Sequence, residues 1–268
     1  MLDIKVLGPL EAVGAGGSVA PTAAKPRQIL ALLALRAGEV VPVPTLVEEI
    51  WGESPPRSAL TTLQTYILQL RRLIGRSLAP GAAKFVLVTR YNGYLFPADE
   101  VRVDARNYER LVGEGNGAFE RGDYAEASRL LRQALGLWSG QVLVDVQKGL
   151  SLGIEVTHLE QSRIGVLETR IDAELRLGRH HSMLGELAML VARNPMHENL
   201  CAKFMIALYR SGQQWQALET YRRLHGGLAD ELGIDPSARL QRLHQAILNA
   251  DPHLELPEAD GVMAGQFP

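Results

Sequence analysis

Three features of this 268-residue sequence predict a mainly α chain in two parts, a small α+β domain followed by an all-α one. Residues 1–100 run in the order short apolar stretches, three punctuated helical segments and a hairpin signal at Asn92-Gly93. From Val103 onward the pattern is helical throughout, and Gly178 and Gly212 stand 34 residues apart, the period of tetratricopeptide helix pairs. With 46% hydrophobic residues and length enough for two ordinary domains, the composition is that of a globular protein with proper cores.

The first elements follow from turn chemistry. The apolar runs IKVLGPL and EAV, broken by Gly-Ala-Gly-Gly, predict a small antiparallel sheet. Gly14, Gly16 and Gly17 belong to neither a GxxxxGK[ST] nor a full GxGxxG pattern, so they read as hairpin glycines rather than a phosphate loop. Pro26 suits the first turn of RQILALLALRA, where its missing N–H costs nothing, and Gly38 closes that helix. Pro44 and Gly52 frame TLVEEIW in the same way. Ser58 caps and Gly75 ends the third helix, SALTTLQTYILQLRRLIG. KFVLVTRYNGYLF then supplies two β-rich runs around Asn92-Gly93. Sheet, three helices and hairpin in this order make a winged helix-turn-helix domain, assigned to residues 1–102 with a core of its own.

The overall formal charge of −2 gives no hint of nucleic acid, but its distribution does. Residues 1–100 hold ten Lys/Arg against eight Asp/Glu, a net of +2, and residues 101–268 hold eighteen against twenty-two, a net of −4. From Ser54 to Ala98 the chain carries Arg57, Arg71, Arg72, Arg76, Lys84 and Arg90 and no acid, a local cationic footprint. On the third helix, at about 100° per residue, Leu60, Leu63, Ile67, Leu70 and Ile74 fall in a sector roughly 80° wide that faces the core. Ser58, Thr61, Thr62, Thr65, Gln69 and Arg72 share the opposite side. Helices that only meet water usually carry Glu and Lys there; these neutral groups can meet base edges or phosphates, with Arg71 and Arg72 in the last turns. Arg90, two residues before Asn92, is placed to reach a minor groove or the phosphate backbone.

The first domain resembles the OmpR/PhoB-type winged helix in YILQLRRLI and in the wing element formed by Thr89, Arg90, Gly93 and Tyr94. More narrowly, KPRQILALLALRAGEVVPVPTLVEEIWG followed by PPRSALTTLQTYILQLRRLI is similar to the Streptomyces antibiotic regulatory protein family of pathway-specific activators. Leu68 and Gln69 stand where OmpR-type recognition helices often carry an Arg pair, which shifts the expected base readout onto Thr and Gln. The DNA-binding residues expected are Arg57, Ser58, Thr61, Thr62, Thr65, Gln69, Arg71, Arg72, Arg76, Lys84, Arg90 and Asn92.

The second domain, residues 103–250, shows RGDYAEASRLLRQAL, LGRHHSMLGELAMLVARNP and SGQQWQALETYRRL as related segments. Gly122, Tyr124, Ala127 and Ala134 fit the same frame, although 56 residues separate Gly122 from Gly178. Asp123 with Glu126 forms a capping arrangement, and Asn194-Pro195 and Asp235-Pro236 are read as cap plus first-turn proline. Stacked helix pairs of this kind leave a concave surface suited to another protein. HLEQSRIGVLETRIDAELRLGRH and LADELGIDPSARLQRLHQAIL resemble the bacterial transcriptional activator domain of the same family, whereas LVDVQKGLSLGIEV fits it less well. Residues 251–268 read as a disordered tail.

Catalysis, cofactors and metals find no support. Seven histidines show no HExxH spacing, the single Cys201 sits in an apolar helical pattern as a core residue, and no GxSxG elbow occurs. No signal peptide or membrane-length apolar run is present, so a cytoplasmic location is expected. The resemblance implies a transcriptional activator that is not an enzyme, bound with a second protomer to direct repeats in the promoters of an antibiotic gene cluster. It also implies contact with RNA polymerase holoenzyme through the sigma factor and the C-terminal domain of the alpha subunit. The alternative is a repeat scaffold whose first domain binds protein instead of DNA.

Overall fold

The computed structural model describes residues 1–77 and 83–255, the side chains of Ala83 and Lys84 excepted. Met1–Gly115 with Leu130–Val166 forms one compact unit, and Asn116–Arg129 with the residues from Leu167 onward forms a second.

In the first unit, alternation builds the first sheet: Leu2 and Ile4 of β1 (Leu2–Lys5) are buried while Asp3 and Lys5 face out. β1 pairs antiparallel with β2 (Glu11–Gly14), which pairs with β3 (Gly17–Ser18). The other edge of β1 takes β7 (Val101–Val103) in parallel, Leu2 opposite Val101, so the sheet is mixed where a purely antiparallel one is expected. Asp104 fixes this junction by accepting from the backbone N–H groups of Val6 (2.8 Å), Leu7 (3.1 Å) and Ala105 (2.8 Å). Burial nevertheless pushes its carboxyl above the usual carboxylate range.

The three expected helices are α1 (Ala24–Leu35), α2 (Val43–Trp51) and α3 (Ala59–Ser77). Ile29 through Ala34 are all fully buried, so α1 is wrapped on every side and forms the centre of the unit. α3 buries Leu63, Ile67, Leu70 and Ile74 as its spacing predicts. It does not stop at Gly75. Ser77 Oγ accepts from Gly16 N (3.1 Å) and donates to Gly17 O (3.2 Å), a tie to the β2–β3 turn that rewards two more residues of helix. Leu60 also departs from expectation at 59% exposed: the loop before α3, residues 52–58, is exposed throughout and leaves the first helical turn uncovered.

Part of the expected hairpin is helical, as α4 (Ala83–Val86), before β5 (Val88–Arg90) and β6 (Gly93–Leu95) begin. β6 lies between β5 and the short β4 (Val41–Pro42). Arg90 pairs with Gly93, so the two-residue loop is Tyr91-Asn92, one residue earlier than the Asn-Gly signal places it. The reason is close approach: a Cβ on Gly93 would lie 2.5 Å from Val41 O, which reserves the glycine for the strand. Tyr91 takes the positive φ of 51° instead.

The core does not close within residues 1–102. α5 (Asp104–Glu120) contributes Tyr108, and α6 (Tyr124–Leu135) contributes Leu130, Leu131 and Ala134. The connection to α7 (Leu150–Arg176) adds Trp138, Val142, Leu143 and Val146 to the same cluster as Leu2, Ile29 and Phe96. Backbone bonds stitch it in place, Ser139 N to Leu7 O (2.9 Å) and Leu143 N to Gly8 O (2.8 Å). Arg27 pairs with Asp145, whose other oxygen accepts from Leu10 N (2.8 Å), and Arg36 Nε donates to Glu155 (2.9 Å). Most telling is Glu49, 3% exposed on α2. Its carboxylate accepts from Gly149 N (2.6 Å), Leu152 N (3.1 Å) and Gln28 Nε2 (3.0 Å). It thereby satisfies donors at the start of α7 that no helix satisfies internally. Gly149 is required there, since an added Cβ would lie 2.2 Å from Glu49 O.

The second unit is helical throughout its described residues. α8 (His180–Arg193), α9 (Glu198–Arg210), α10 (Gln214–Leu232) and α11 (Ala238–Leu248) follow one another. Met183 and Leu187 of α8 pack with Ile171, Leu200 and Ala207, while Cys201, Met205, Ala217, Tyr221, Leu240 and Ile247 form a second cluster. Burial first, with the charge of Glu198, pushes the Cys201 thiol up to about 12, which suits a core residue. The turns at Gly122, Gly178 and Gly212 share one left-handed geometry, with φ of 78°, 74° and 74°.

Two helix starts differ from the sequence reading. Asn194 ends α8 by folding its Nδ2 back onto Leu190 O (3.0 Å), and His197 caps α9 instead. Asp235 is turned to His225 Nε2 (3.2 Å) and Ser237 N donates to Glu198 (2.9 Å), so α11 begins only at Ala238. Asp123 does cap α6, accepting from Glu126 N (3.1 Å), but Glu126 pairs with Arg129 rather than closing a reciprocal box. The expected tail is ordered at its beginning: Pro252–Leu254 make a 3₁₀ turn, and Arg210 Nε donates to Leu254 O (2.7 Å). Residues 256–268 of that tail lie outside the described residues.

A fragment Met1–Arg102 should therefore lose cooperative thermal unfolding and near-ultraviolet ellipticity, while Met1–Val166 keeps both. Cooperative unfolding of the shorter fragment at the same temperature would show that the core closes without the later residues. Glu49→Ala leaves the Gly149 and Leu152 N–H groups without their acceptor and Gln28 Nε2 with only the backbone oxygen of residue 49, and chemical denaturation of the full chain should read a loss of about 2–4 kcal/mol. Glu49→Gln, which keeps one acceptor oxygen, should lose less; equal losses would mean that volume rather than the hydrogen bonds matters.

Candidate nucleic-acid interface

α3 is placed to read a surface because its two sides differ chemically. Leu63, Ile67, Leu70 and Ile74 anchor one side in the core, and Tyr66 on its flank stacks on Trp51 of α2 with ring centroids 6.5 Å apart. The other side presents Ser58, Thr61, Thr65, Gln69, Arg72 and Arg76 exposed and Thr62 half-buried, with no acid along the helix. Arg57 is exposed in the loop that leads into it. Arg57, Arg72, Arg76 and Arg90 have no ion-pair partner among the described residues, so their charge is unspent.

Arg71 is different. Its Nε and Nη2 donate to Leu87 O (3.0 and 2.9 Å), and Nη2 also donates to Thr89 Oγ1 (2.8 Å). The guanidinium is a half-buried brace between α3 and the first strand of the hairpin. Nε and Nη2 are engaged by protein acceptors, which makes Arg71 a brace as well as a cation, while its Nη1 makes no hydrogen bond among the described residues. Thr65 is also partly committed: its hydroxyl donates to Thr61 O (3.0 Å), which leaves the methyl group and the oxygen lone pairs for a partner. Arg90 and Asn92 are exposed on the hairpin. The backbone of Lys84 lies in α4, while its side chain falls outside the described residues.

Two residues outside the expected contact set contribute, one of them already part of the wing element. Thr89 receives the brace from Arg71, and Tyr91, 93% exposed, forms the tip of the hairpin. An exposed tyrosine at φ 51° is a costly choice for a simple turn, but only the strand register shows that it occupies the loop. Together these elements present neutral hydrogen-bonding groups along one helix face, cations toward its ends, and a second cation on an adjoining hairpin. Such a surface suits a polyanion with readable edges.

Comparison with known proteins agrees with this chemistry. Residues 17–96 match the family described as transcriptional regulatory protein, C terminal, and residues 103–248 match the bacterial transcriptional activator domain. The chain is 56% identical over 257 residues to regulatory protein DnrI of Streptomyces peucetius, covering 95% of this chain and 94% of the relative. It is 36% identical to transcriptional regulator RedD of Streptomyces coelicolor, covering 96% and 73%. The solved structure of Mycobacterium tuberculosis EmbR in complex with a low-affinity phosphopeptide superposes with a TM-score of 0.86 at 31% identity, over 94% of this chain and 66% of that one. No described helix is long and apolar enough to cross a membrane. With both domain families matched in order, the chain belongs to the Streptomyces antibiotic regulatory protein family of transcriptional activators, an OmpR-type winged helix followed by a bacterial transcriptional activator domain.

Proposed function

We propose that this chain is a cytoplasmic, non-enzymatic activator that binds tandem direct repeats in the promoters of a secondary-metabolite gene cluster. In this reading α3 enters the major groove, the β5–β6 hairpin reaches the flanking backbone or minor groove, and a second protomer occupies the neighbouring repeat. The helical pairs of α8 to α11 engage RNA polymerase holoenzyme. The observation that carries the reading is the exposed, acid-free face of α3 beside a hairpin held by Arg71. All of the DNA-facing side chains lie within residues 1–102, although the core beneath them extends beyond. Gel-shift titration on DNA from its own genomic neighbourhood tests the proposal directly, since a protein-binding scaffold would shift no fragment.

The exposed groups divide into two kinds that fail differently. Arg72→Ala and Arg76→Ala should weaken specific and random DNA alike and lower the slope of log K against log salt by about one unit each. Gln69→Ala should instead narrow the gap between specific and random DNA by about 1–3 kcal/mol. Arg71→Ala belongs to neither kind: it should lower thermal stability as well as affinity, because it removes the brace. Unchanged binding in all four variants would remove α3 from the interface.

Within residues 1–102 no zipper or long dimerisation helix occurs among the described residues to favour a two-fold axis. Two protomers that touch while facing the same side of the duplex need half-sites repeated directly, about one helical turn or roughly 10–11 base pairs apart. Inserting about half a turn, roughly five base pairs, should abolish cooperative binding in a footprinting series, and a full turn should restore the face while stretching the contact. Equal cooperativity at the half-turn spacing, or a preference for inverted half-sites, would overturn the arrangement.

A further inference from the structure

The second unit contains a cavity of about 500 Å³, within the range of small-molecule sites, lined by His180, Tyr209, Arg210, Gly212, Gln214 and Glu255. Three chain segments meet there: the first turn of α8, the turn between α9 and α10, and the 3₁₀ turn that ends at Glu255. None of these residues takes part in the DNA-facing surface.

The polar groups of the cavity are incompletely used. His180 Nδ1 is buried without a hydrogen-bond partner among the described residues. Arg210 spends Nε on Leu254 O (2.7 Å) and Nη1 on Leu175 O (3.1 Å), while its Nη2 has no partner among the described residues.

The local electrostatics point the same way. Burial, and then the neighbouring charge of Arg176, pull the Arg210 guanidinium below its ordinary proton affinity. Burial, and then His181 and Arg210, do the same to His180. His180 is thereby held neutral, and an anion against the Arg210 guanidinium offsets its repulsion from Arg176 while accepting a charge-assisted hydrogen bond. Glu255, exposed at the rim, is the one carboxylate among the lining residues.

We propose that this cavity binds a small organic anion, a molecule whose carboxylate or phosphate group accepts from Arg210 Nη2 and from the His180 imidazole. The remainder of the ligand lies along Tyr209 and the Gly212 turn. Glu255 sits at the mouth as a competing carboxylate from the protein itself.

The test follows the histidine Cε1–H resonances of the full chain by carbon-proton correlation while pyrophosphate, or in a separate series citrate, is added at constant ionic strength. A saturable shift at His180, with exposed His158 unmoved, is the expected result. Saturation by pyrophosphate alone identifies a phosphate ligand, and saturation by citrate alone identifies a carboxylate. Glu255→Gln should tighten the apparent dissociation constant several-fold without touching a buried group, and Arg210→Lys should weaken it. A shift that grows linearly with both probes, or that moves His158 equally, would overturn the proposal. An unchanged affinity in Glu255→Gln would also do so.

Discussion

The carboxylate of Glu49 is the contact on which the first unit depends. It stands on α2, the helix that supports α3, and accepts from Gly149 N and Leu152 N at the start of α7. A buried carboxylate without donors would be expensive; with two backbone N–H groups, the Gln28 amide and the positive end of a helix around it, the same charge becomes a fixed link. The link is directional. It sets where α7 begins relative to α2, and through the Trp51–Tyr66 stack and the shared apolar core it bears on where α3 points. Arg27 with Asp145 and Arg36 with Glu155 repeat the arrangement from α1, so three charged contacts bind the segment around residue 150 to the helices that carry α3.

The same economy explains the hairpin. A wing of short strands has little apolar area with which to hold itself, and β5 and β6 are each three residues long. Arg71 supplies the missing constraint by reaching Leu87 O and Thr89 Oγ1, and Gly93 supplies another by letting β6 run against β4. With the wing fixed from α3 itself, helix and hairpin keep a constant offset. A two-point contact with a groove and its flank requires such preorganisation.

Much of this was legible before any coordinates. The order of sheet, helices and hairpin, the buried stripe of α3 and its neutral opposite face followed from spacing and composition, because burial selects residue type at fixed angular intervals. The later end of α3 and the partners of Arg71 share a physical cause that the helix alone does not show, which is that the deciding groups lie elsewhere in the chain. Ser77 prolongs α3 because it meets Gly16 and Gly17, and Arg71 is a brace because Leu87 curls beneath it. Asn194 is the local case: its amide turns back onto Leu190 O, so a residue type that suits either end of a helix closes one instead of opening the next. The segment LVDVQKGLSLGIEV, which resembles the activator domain less well although the family match spans it, has distant partners too. Its Leu143, Val146 and Leu152 are buried in the core of the first unit, so its sequence answers to that core rather than to a helical repeat.

What remains on the α3 face sets the balance between affinity and discrimination. Cations supply most of the sequence-independent grip on a polyanion, whereas neutral donors and acceptors supply preference among base edges. Arg57, Arg72, Arg76 and Arg90 are the exposed arginines of this surface without an ion pair among the described residues, and Arg71 adds a half-buried charge. A chain with a formal charge of −2 overall adds no general attraction to DNA. One protomer therefore has modest non-specific grip and relatively rich neutral contacts. In the proposed reading, such a face depends on matching base edges more than on charge, so its affinity for random DNA falls quickly as salt rises.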